Sequence, residues 1–559
     1  MKSSSREPRA NQLHPADADA PAQPSASQLS RRALLKATGA ALIGGAATLA
    51  GVPLPTAQGV RAATAPGSLR PRPNILIILT DQERYPRHWP AGWADANLPN
   101  RKRIADRGLS FTSAFCNTCM CSPSRSTLFS GAYPAQHGVI YTLTSGGSLS
   151  PNEPQLPLDI QNMARMLASA GYNVQYRGKW HMSKGSDGGK PTAADIVACG
   201  FNGWVEPDAG ENTDPEGFGG GVANHDQAFA QQAAAFLATQ TPAATADRPF
   251  ALIVSFVNPH DVLAYPRTVG DDAVYTADTA KYNQGIQWTD IPSHNEPLAT
   301  NNKPTAHAQT LQYLNLGLGV LAPPPASARR DYVNFYAYLQ KVVDAHIGTV
   351  LDALEAQNLW DSTVVIRTAD HGELGLAHGG LRQKMFNVYH EAINIPLTIG
   401  NPVLFPAAQT TSALASLVDV MPTLASLASV PNRDAWVFKG VDLSPLLQNP
   451  AATVQDAVLF TFDDQNAGSP NPQSIVRQPN HIRAIFDGRW KYARYFDPAG
   501  AESPQYELYD RQTDPDELQN LAGQNTAKQA EMASKLAALE ADRLAPAALH
   551  KSYLPLVGG

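Results

Sequence analysis

Charged residues, cysteines and long hydrophobic runs are all scarce in this sequence. Asp, Glu, Lys and Arg make up 16% of the 559 residues, and the formal net charge is -6; a typical globular protein has about a quarter of its residues charged. This balance gives no reason to expect nucleic-acid binding, which needs clustered Lys and Arg. The stretch from Ala37 to about Val52 is too short and too weakly apolar to span a bilayer stably. No cysteine lies near its end, so we also expect no lipid anchor.

The N-terminal 65 residues are predicted to direct export rather than to join the fold. Residues 1–29 are rich in Ala, Ser, Pro and Asp, a composition typical of disorder. The next run, SRRALLK from Ser30 to Lys36, resembles a twin-arginine motif and precedes a stretch like a signal h-region. An amphipathic helix or an anchor is the alternative. We predict export by the twin-arginine machinery to the periplasm or the exterior, with cleavage between Ala57 and Ala65.

The length of the chain predicts one large domain and a smaller one. A chain of 559 residues exceeds what one ordinary core organises. The 41 glycines and 45 prolines indicate many turns and long loops, which suits an active site built from loops. We place the main domain at residues 70–430 and a C-terminal α+β subdomain at 431–559.

Three of the four cysteines, Cys116, Cys119 and Cys121, lie within six residues. Such crowding occurs in thiolate metal sites and in C-x-x-C redox pairs, but no second C-x-x-C and no nearby His completes a zinc ligand set. Cys121 begins the run CSPSR, and its alternatives are a modified nucleophile and a buried, inert thiol. If Cys121 is modified, the other two could pair in an oxidising compartment and leave Cys199 alone.

Two apolar runs predict strands that end in carboxylates. PNILIILTDQ (Pro73 to Gln82) and STVVIRTADHG (Ser362 to Gly372) are dense in β-branched residues, as in strands buried on both faces of a sheet flanked by helices. Ligands bind at the carboxyl ends of such strands. If the strands are neighbours, they bring together a set of residues that suits a divalent cation: Asp81, Gln82, Asp370 and His371. Helix capping by the two aspartates is the alternative.

Four motifs occur in the order and approximate spacing of sulfatases, members of the alkaline phosphatase superfamily. They are P-N-I-L-x-x-x-x-D from Pro73, C-S-P-S-R from Cys121, G-K-x-H from Gly178 and D-H-G-E from Asp370. The chain resembles this family over nearly all of its length after the N-terminal segment. The resemblance implies an α/β fold with a large mixed, mostly parallel sheet flanked by helices. It also implies a smaller C-terminal antiparallel sheet, which the alternating apolar pattern near the C-terminus supports.

The resemblance implies the cofactors as well. In sulfatases the motif cysteine is oxidised to formylglycine by a formylglycine-generating enzyme, so this change is expected at Cys121. One divalent cation is expected on position 121 together with Asp81, Gln82, Asp370 and His371. Many sulfatases have Asp-Asp and Asp-Asn at the two strand ends; the pairs here resemble those of choline sulfatases and phosphonate monoester hydrolases. An imidazole ligand suits Mn²⁺ better than Ca²⁺, so both metals stay open.

The remaining catalytic roles are also implied by the resemblance. Hydrated formylglycine would attack the sulfur of a small-molecule sulfate ester, and Arg125 would hold the diol or its metal ligands. Lys179 and Lys384 would stabilise charge on the sulfuryl oxygens. His260 would protonate the departing alcohol or phenol, and His181 would remove the proton whose loss expels inorganic sulfate.

Three alternative functions stay open. The nearest is a phosphonate monoester or phosphodiester hydrolase with the same site, although Lys179 and His181, which phosphonate hydrolases generally lack, favour sulfate esters. The others are a C-x-x-C redox protein and an exported binding protein without turnover.

One segment and one residue are candidates for specificity. The polar, proline-rich chain from Tyr265 to about Ser327 is predicted to be a long structureless stretch that forms a lid, a binding loop or a surface insertion. A helix with a buried apolar stripe should follow from about Ala328 to Leu354. Trp180, next to the catalytic pair, is predicted to line the substrate cavity and to favour an aromatic or apolar leaving group.

Overall fold

The computed structural model describes residues 69–144, 149–185, 187–210, 217–220, 223–265, 279–321, 327–469 and 472–549. The predicted export signal lies outside these residues, as does part of the predicted lid. Within these ranges, no helix combines the length and apolar character needed to cross a membrane. The described residues belong to one compact unit, and the predicted boundary at residue 430 stays a prediction.

A seven-stranded mixed sheet forms the centre of the protein, in the order β4-β5-β1-β6-β7-β2-β8. β4, β5, β1 and β6 run parallel, β7 runs antiparallel to both of its neighbours, and β8 is parallel to β2. The predicted fold class is therefore confirmed. The strands are β1 Asn74–Asp81, β2 Gly108–Phe111, β3 Ala114–Phe115, β4 Asn173–Gly178, β5 Phe250–Pro259, β6 Thr363–Ala369, β7 Leu397–Gly400, β8 Gln409–Thr411, β9 Ala415–Ser416, β10 Val458–Phe462, β11 His481–Phe486, β12 Trp490–Phe496 and β13 Gln505–Asp510.

Helices cover both faces of this sheet, which explains the continuous apolar run of β1. Ile75, Ile77 and Leu79 join one hydrophobic core, whereas Leu76 and Ile78 join another. Burying each such side chain fully contributes roughly 1.5–3 kcal/mol to the free energy of folding. The α-helices are Trp93–Asn97, Pro99–Ala105, Cys121–Ser130, Pro134–His137, Met163–Ser169, Ala193–Ala198, His225–Ala238, Pro242–Asp247, Thr305–Leu318, Ser327–Ala356, Ala377–Gly380, His390–Ile393, Val420–Leu427, Ser444–Gln448 and Thr526–Arg543.

The described part of the segment between β5 and β6 contains more helix than the sequence indicates. The predicted helix is confirmed as Ser327–Ala356, and its apolar stripe is buried. The prediction of a structureless stretch before it is wrong, because a 14-residue helix, Thr305–Leu318, lies within it. The proline-rich composition hid this helix: Pro304 occupies the N-cap position, where proline is compatible with helix initiation.

A second sheet lies near the C-terminus. Its four antiparallel strands follow the order β10-β11-β12-β13. Met532 and Leu536 of the helix Thr526–Arg543 join the core of this sheet. The predicted antiparallel C-terminal sheet is thus present.

Candidate active site

The two strand-end carboxylates lie side by side. β1 ends at Asp81, and Asp370 directly follows β6, its parallel neighbour; Thr80 pairs with Ala369 in the register of the two strands. Both carboxylates are fully buried. Because the strands are parallel neighbours, the two side chains meet at one edge of the sheet.

Four groups of metal-ligand type converge at this edge. One ligand atom from each of Asp81, Cys121, Asp370 and His371 lies within 4.8 Å of all the others. Cys121 Sγ is 3.2 Å from His371 Nε2 and 3.7 Å from Asp81 Oδ1. Cys121 is the first residue of the helix Cys121–Ser130, so the positive end of a helix dipole adjoins this group.

Two buried cationic side chains form ion pairs with the Oδ2 atoms of Asp81 and Asp370. Arg125 Nη1 lies 3.2 Å from Asp370 Oδ2 and 4.0 Å from Asp81 Oδ2. Lys179 forms an ion pair with Asp81 Oδ2, and its Nζ donates to Gly210 O at 3.0 Å. The Oδ1 atoms therefore face Cys121 and His371, whereas the Oδ2 atoms are neutralised by the protein itself.

Gln82 and Lys384 lie beside the cluster. Lys384 Nζ donates to Gln82 Oε1 at 2.5 Å, and Gln82 Nε2 donates to Glu373 Oε2 at 2.5 Å. The main-chain N–H of Gln82 donates to Asp370 Oδ1 at 3.1 Å, and its φ of 66° lies in the left-handed region. The structure thus brings Gln82 to the site, and its role as a metal ligand stays a prediction.

The electrostatics favour negative charge at position 121. Burial alone would raise the pKa of the Cys121 thiol, but Lys179, Lys384 and His371 together lower that pKa well below its usual value. Burial also lowers the pKa of His371, yet the neighbouring Asp370 and Cys121 raise it to about 9. The surroundings of position 121 are thus those of an anionic nucleophile or of a bound anion.

A cavity of about 380 Å³ opens on this group. Four of the predicted site residues line it: Cys121, His181, His260 and Lys384. We call these four the floor. His260 is 3% exposed, and its Nδ1 lies 3.9 Å from Asp261 Oδ1.

A further residue, Asp208, positions the segment of Trp180 and His181 and was not predicted from the sequence. Its two carboxylate oxygens accept the main-chain N–H groups of Trp180 and His181, each at 2.7 Å. The φ of His181 is 51°, a left-handed conformation that costs energy for a non-glycine residue. A buried carboxylate therefore stabilises a strained segment next to the floor. Nothing in the local sequence pattern around Pro207 and Asp208 indicates this contact.

Trp180 does not line the cavity, so that prediction is wrong. Its side chain is fully buried and packs with Phe129, Tyr176 and Phe201, and its indole N–H donates to Ser183 Oγ at 2.8 Å. Trp180 lies beyond the end of β4, and these aromatic partners hold its ring in the core.

The two neighbouring cysteines are free thiols. Cys116 Sγ and Cys119 Sγ lie 3.8 Å apart, and both side chains are buried. Burial raises the pKa of Cys116 well above its usual value, which opposes thiolate chemistry there. Cys199 is also a buried free thiol.

Comparisons with known proteins find related sequences over most of the chain. A family model described as Sulfatase matches residues 73–430, and one described as N-sulphoglucosamine sulphohydrolase, C-terminal, matches residues 378–542. A choline-sulfatase from Rhizobium meliloti (strain 1021) is 28% identical over 475 residues, covering 81% of this chain and 82% of the relative. Arylsulfatase A from Homo sapiens is 26% identical over 483 residues, covering 81% and 83%.

A solved phosphonate monoester hydrolase from Silicibacter pomeroyi shares the fold. Its TM-score is 0.63 at 22% identity, with 84% of this chain and 96% of that chain covered.

The sulfatase family model spans well over half of the sequence. This chain therefore belongs to the sulfatase family and is a sulfuric ester hydrolase.

Proposed function

We propose that the protein hydrolyses sulfate esters through a formylglycine made from Cys121, releasing inorganic sulfate and an alcohol or phenol. One observation carries this proposal: Cys121 lies in the buried group of metal-type ligands and also on the floor of the cavity. A nucleophile made at this position would meet both the cation and the ester. A formylglycine-generating enzyme is the partner that this chemistry requires.

The residues present fit a divalent cation. Two carboxylates and an imidazole surround position 121, and Arg125 and Lys179 already neutralise one oxygen of each carboxylate. The proposed ligands are Asp81, Gln82, Asp370, His371 and the side chain at position 121. A bound divalent cation would lower the pKa of an oxygen nucleophile and offset charge on the ester. Carboxylate oxygens suit Ca²⁺ and the imidazole suits Mn²⁺.

The chain's own residues supply the remaining chemistry in this proposal. Lys384 places a cation on the cavity floor, where it can bind a sulfuryl oxygen. His260 would give a proton to the leaving oxygen. His181 Nε2 donates to the Leu143 carbonyl oxygen at 2.9 Å, so its Nδ1 would accept the proton whose loss expels sulfate. Arg125 keeps Asp370 and Asp81 in place and is not among the residues that line the cavity.

A phosphonate monoester or phosphodiester hydrolase is the second candidate. The strand-end pairs Asp81-Gln82 and Asp370-His371 are compatible with it, because they resemble those of phosphonate monoester hydrolases as well as those of choline sulfatases. Lys179 and His181 favour the sulfate reaction. Relative efficiency on the two ester classes decides between the candidates.

The first test uses protein made beside a formylglycine-generating enzyme. We expect an aldehyde mass at Cys121 in the tryptic peptide from Gly108 to Arg125. We also expect a higher kcat/KM for aryl sulfates than for phenyl phosphonates, loss of activity with a chelator, and its return with Mn²⁺ or Ca²⁺. Full sulfatase activity with an unmodified thiol, or a preference for the phosphonate, would contradict the proposal.

We also propose export by the twin-arginine route to the periplasm or the exterior. The support is the sequence from Ser30 to Lys36. Replacing Arg31 and Arg32 with lysine should retain the enzyme in the cytoplasm, and unchanged export on cell fractionation would refute this.

A further inference from the structure

His260 follows an irregular end of β5. Regular pairing of β5 with β4 and with β1 stops at Ser255, and pairing with β1 resumes only where Pro259 meets Asp81. Three residues of β5 therefore face the single residue Thr80 of β1, as in a β-bulge. Bulges beside active sites redirect the chain and its side chains, and here the chain leads from the bulge directly into His260.

A buried carboxylate, that of Asp226, holds this bulge. Its Oδ1 accepts the main-chain N–H of Val257 at 2.7 Å, and its Oδ2 accepts the main-chain N–H of Asn258 at 2.9 Å. The side-chain amide of Asn258 donates to Oδ2 as well, at 3.1 Å. Main-chain N–H groups that leave a sheet need another acceptor, so Asp226 satisfies two consecutive residues of the bulge at once.

We propose that Asp226 is a positioning residue for His260: it fixes the bulge of β5 and thereby the place from which His260 reaches the leaving oxygen. Asp226 is fully buried and is not among the residues that line the cavity, whereas His260 lines it. Asp226 therefore acts through the main chain and not on the substrate. The proposal rests on the function proposed above, which gives His260 the protonation of the leaving group.

The helix that carries Asp226 makes it a firm support. Asp226 lies in the first turn of the helix His225–Ala238, where the helix dipole favours a negative charge. Phe229 of this helix and Val254 of β5 belong to the same hydrophobic core. The acceptor is thus anchored on an element that packs against the strand it holds.

A carboxylate is unfavourable at this position in terms of burial alone. Burial raises the pKa of Asp226 to about 7, although the hydrogen bonds from Val257 and Asn258 lower it. An asparagine would fill the same space without burying a charge, but its amide has one acceptor atom where the carboxylate has two. The second acceptor atom is what the bulge requires, because two main-chain N–H groups have to be held.

The test compares Asp226→Asn with the wild type on phenyl sulfates of different phenol pKa. In the variant, one of the two main-chain N–H groups faces an amide N–H instead of an acceptor, so the bulge should shift. We expect kcat/KM for phenyl sulfate to fall about 10–100-fold, because misplacing a catalytic group by about 1 Å can cost about 10²-fold. The loss for 4-nitrophenyl sulfate should be much smaller, since its leaving oxygen needs little help from an acid.

A double variant separates positioning from a general loss of structure. If Asp226 acts through His260, Asp226→Asn should cause no further loss that depends on the leaving group in a His260→Ala enzyme, because both changes remove the same contribution. A purely structural defect would add its full effect to that of His260→Ala.

Asp419→Asn is the matched control. Asp419 is also a fully buried carboxylate outside the cavity lining, and it accepts the main-chain N–H groups of Ser416 at 2.7 Å and Val441 at 2.8 Å. Its replacement should lower the thermal stability without changing how kcat/KM depends on phenol pKa. If Asp226→Asn does not fold, Asn258→Ala takes its place; it removes only the side-chain bond to Asp226 and should show the same selectivity to a smaller extent.

Crystal structures of the variants give a readout that does not depend on turnover. The imidazole of His260 should lie on the order of 1 Å from its wild-type position in Asp226→Asn and should be unmoved in Asp419→Asn. An unmoved His260, an equal loss on every ester, or additive effects in the double variant would overturn the inference. If the modified wild type releases no sulfate from any ester while His260 still moves in Asp226→Asn, the proposed function fails and the positioning role stands.

Discussion

Cys121→Ser should stop multiple turnover of aryl sulfates, with kcat reduced by a factor on the order of 10⁴ or more. A serine offers one hydroxyl, whereas a hydrated aldehyde offers two. Once the serine oxygen carries sulfate, no second hydroxyl remains whose deprotonation can expel it. The position is 2% exposed and faces Lys384 and His181 across the floor, so bulk water has little access to such an ester.

Steady-state release of the phenol and the intact mass of the protein check this expectation. The serine variant should either show a sulfated mass after incubation or be inert. Cys199→Ser is the matched control, because Cys199 is also a buried free thiol but lies outside the metal-type cluster and the cavity lining. A serine variant that turns over as fast as the wild type would sink the formylglycine mechanism.

His260→Ala should slow the hydrolysis of esters with poor leaving groups far more than that of esters with good ones. General acid catalysis contributes about 10²–10⁴-fold, and this contribution is needed most when the departing oxygen is strongly basic. We expect a loss in that range for phenyl sulfate and a much smaller loss for 4-nitrophenyl sulfate. His260 has the required position, since it lines the cavity beside Cys121.

The measurement is kcat/KM across a series of substituted phenyl sulfates. In the wild type it should depend weakly on phenol pKa, and in the variant steeply. His346→Ala serves as the control, because His346 stacks on Phe256 and is not among the cavity-lining residues. An equal loss on every ester would mean that His260 acts on something other than the leaving oxygen.

Strands and strand-end residues were the most predictable part of the structure. The continuous apolar runs before Asp81 and Asp370 predict strands that are buried on both faces of the sheet. When two such strands are parallel neighbours, their carboxyl ends lie at the same edge of the sheet. The resemblance to sulfatases predicted that Cys121, His260 and Lys384 belong to the site, and all three line the floor of the cavity. Local sequence and motif order were enough for these residues.

Contacts that depend on tertiary packing were not predictable. Asp208 accepts hydrogen bonds from the amides of Trp180 and His181, which lie 28 and 27 residues earlier in the chain. The helix Thr305–Leu318 is held by distant partners such as Arg382 and Tyr495, so its weak local pattern did not reveal it. Trp180 was misplaced because its position between Lys179 and His181 in the sequence does not reveal that its ring packs against Phe129, Tyr176 and Phe201.

The burial of the motif from Cys121 to Arg125 has a consequence for the order of events in the cell. Cys121 is 2% exposed, and Ser122, Ser124 and Arg125 are fully buried. In the proposed chemistry a modifying enzyme has to reach the Cys121 thiol, and because folding buries this thiol, oxidation would come before folding is complete. Because the twin-arginine route carries folded proteins, the proposed export would place oxidation first, folding second and translocation last. A folded molecule that missed its oxidation would then stay inactive wherever it is delivered.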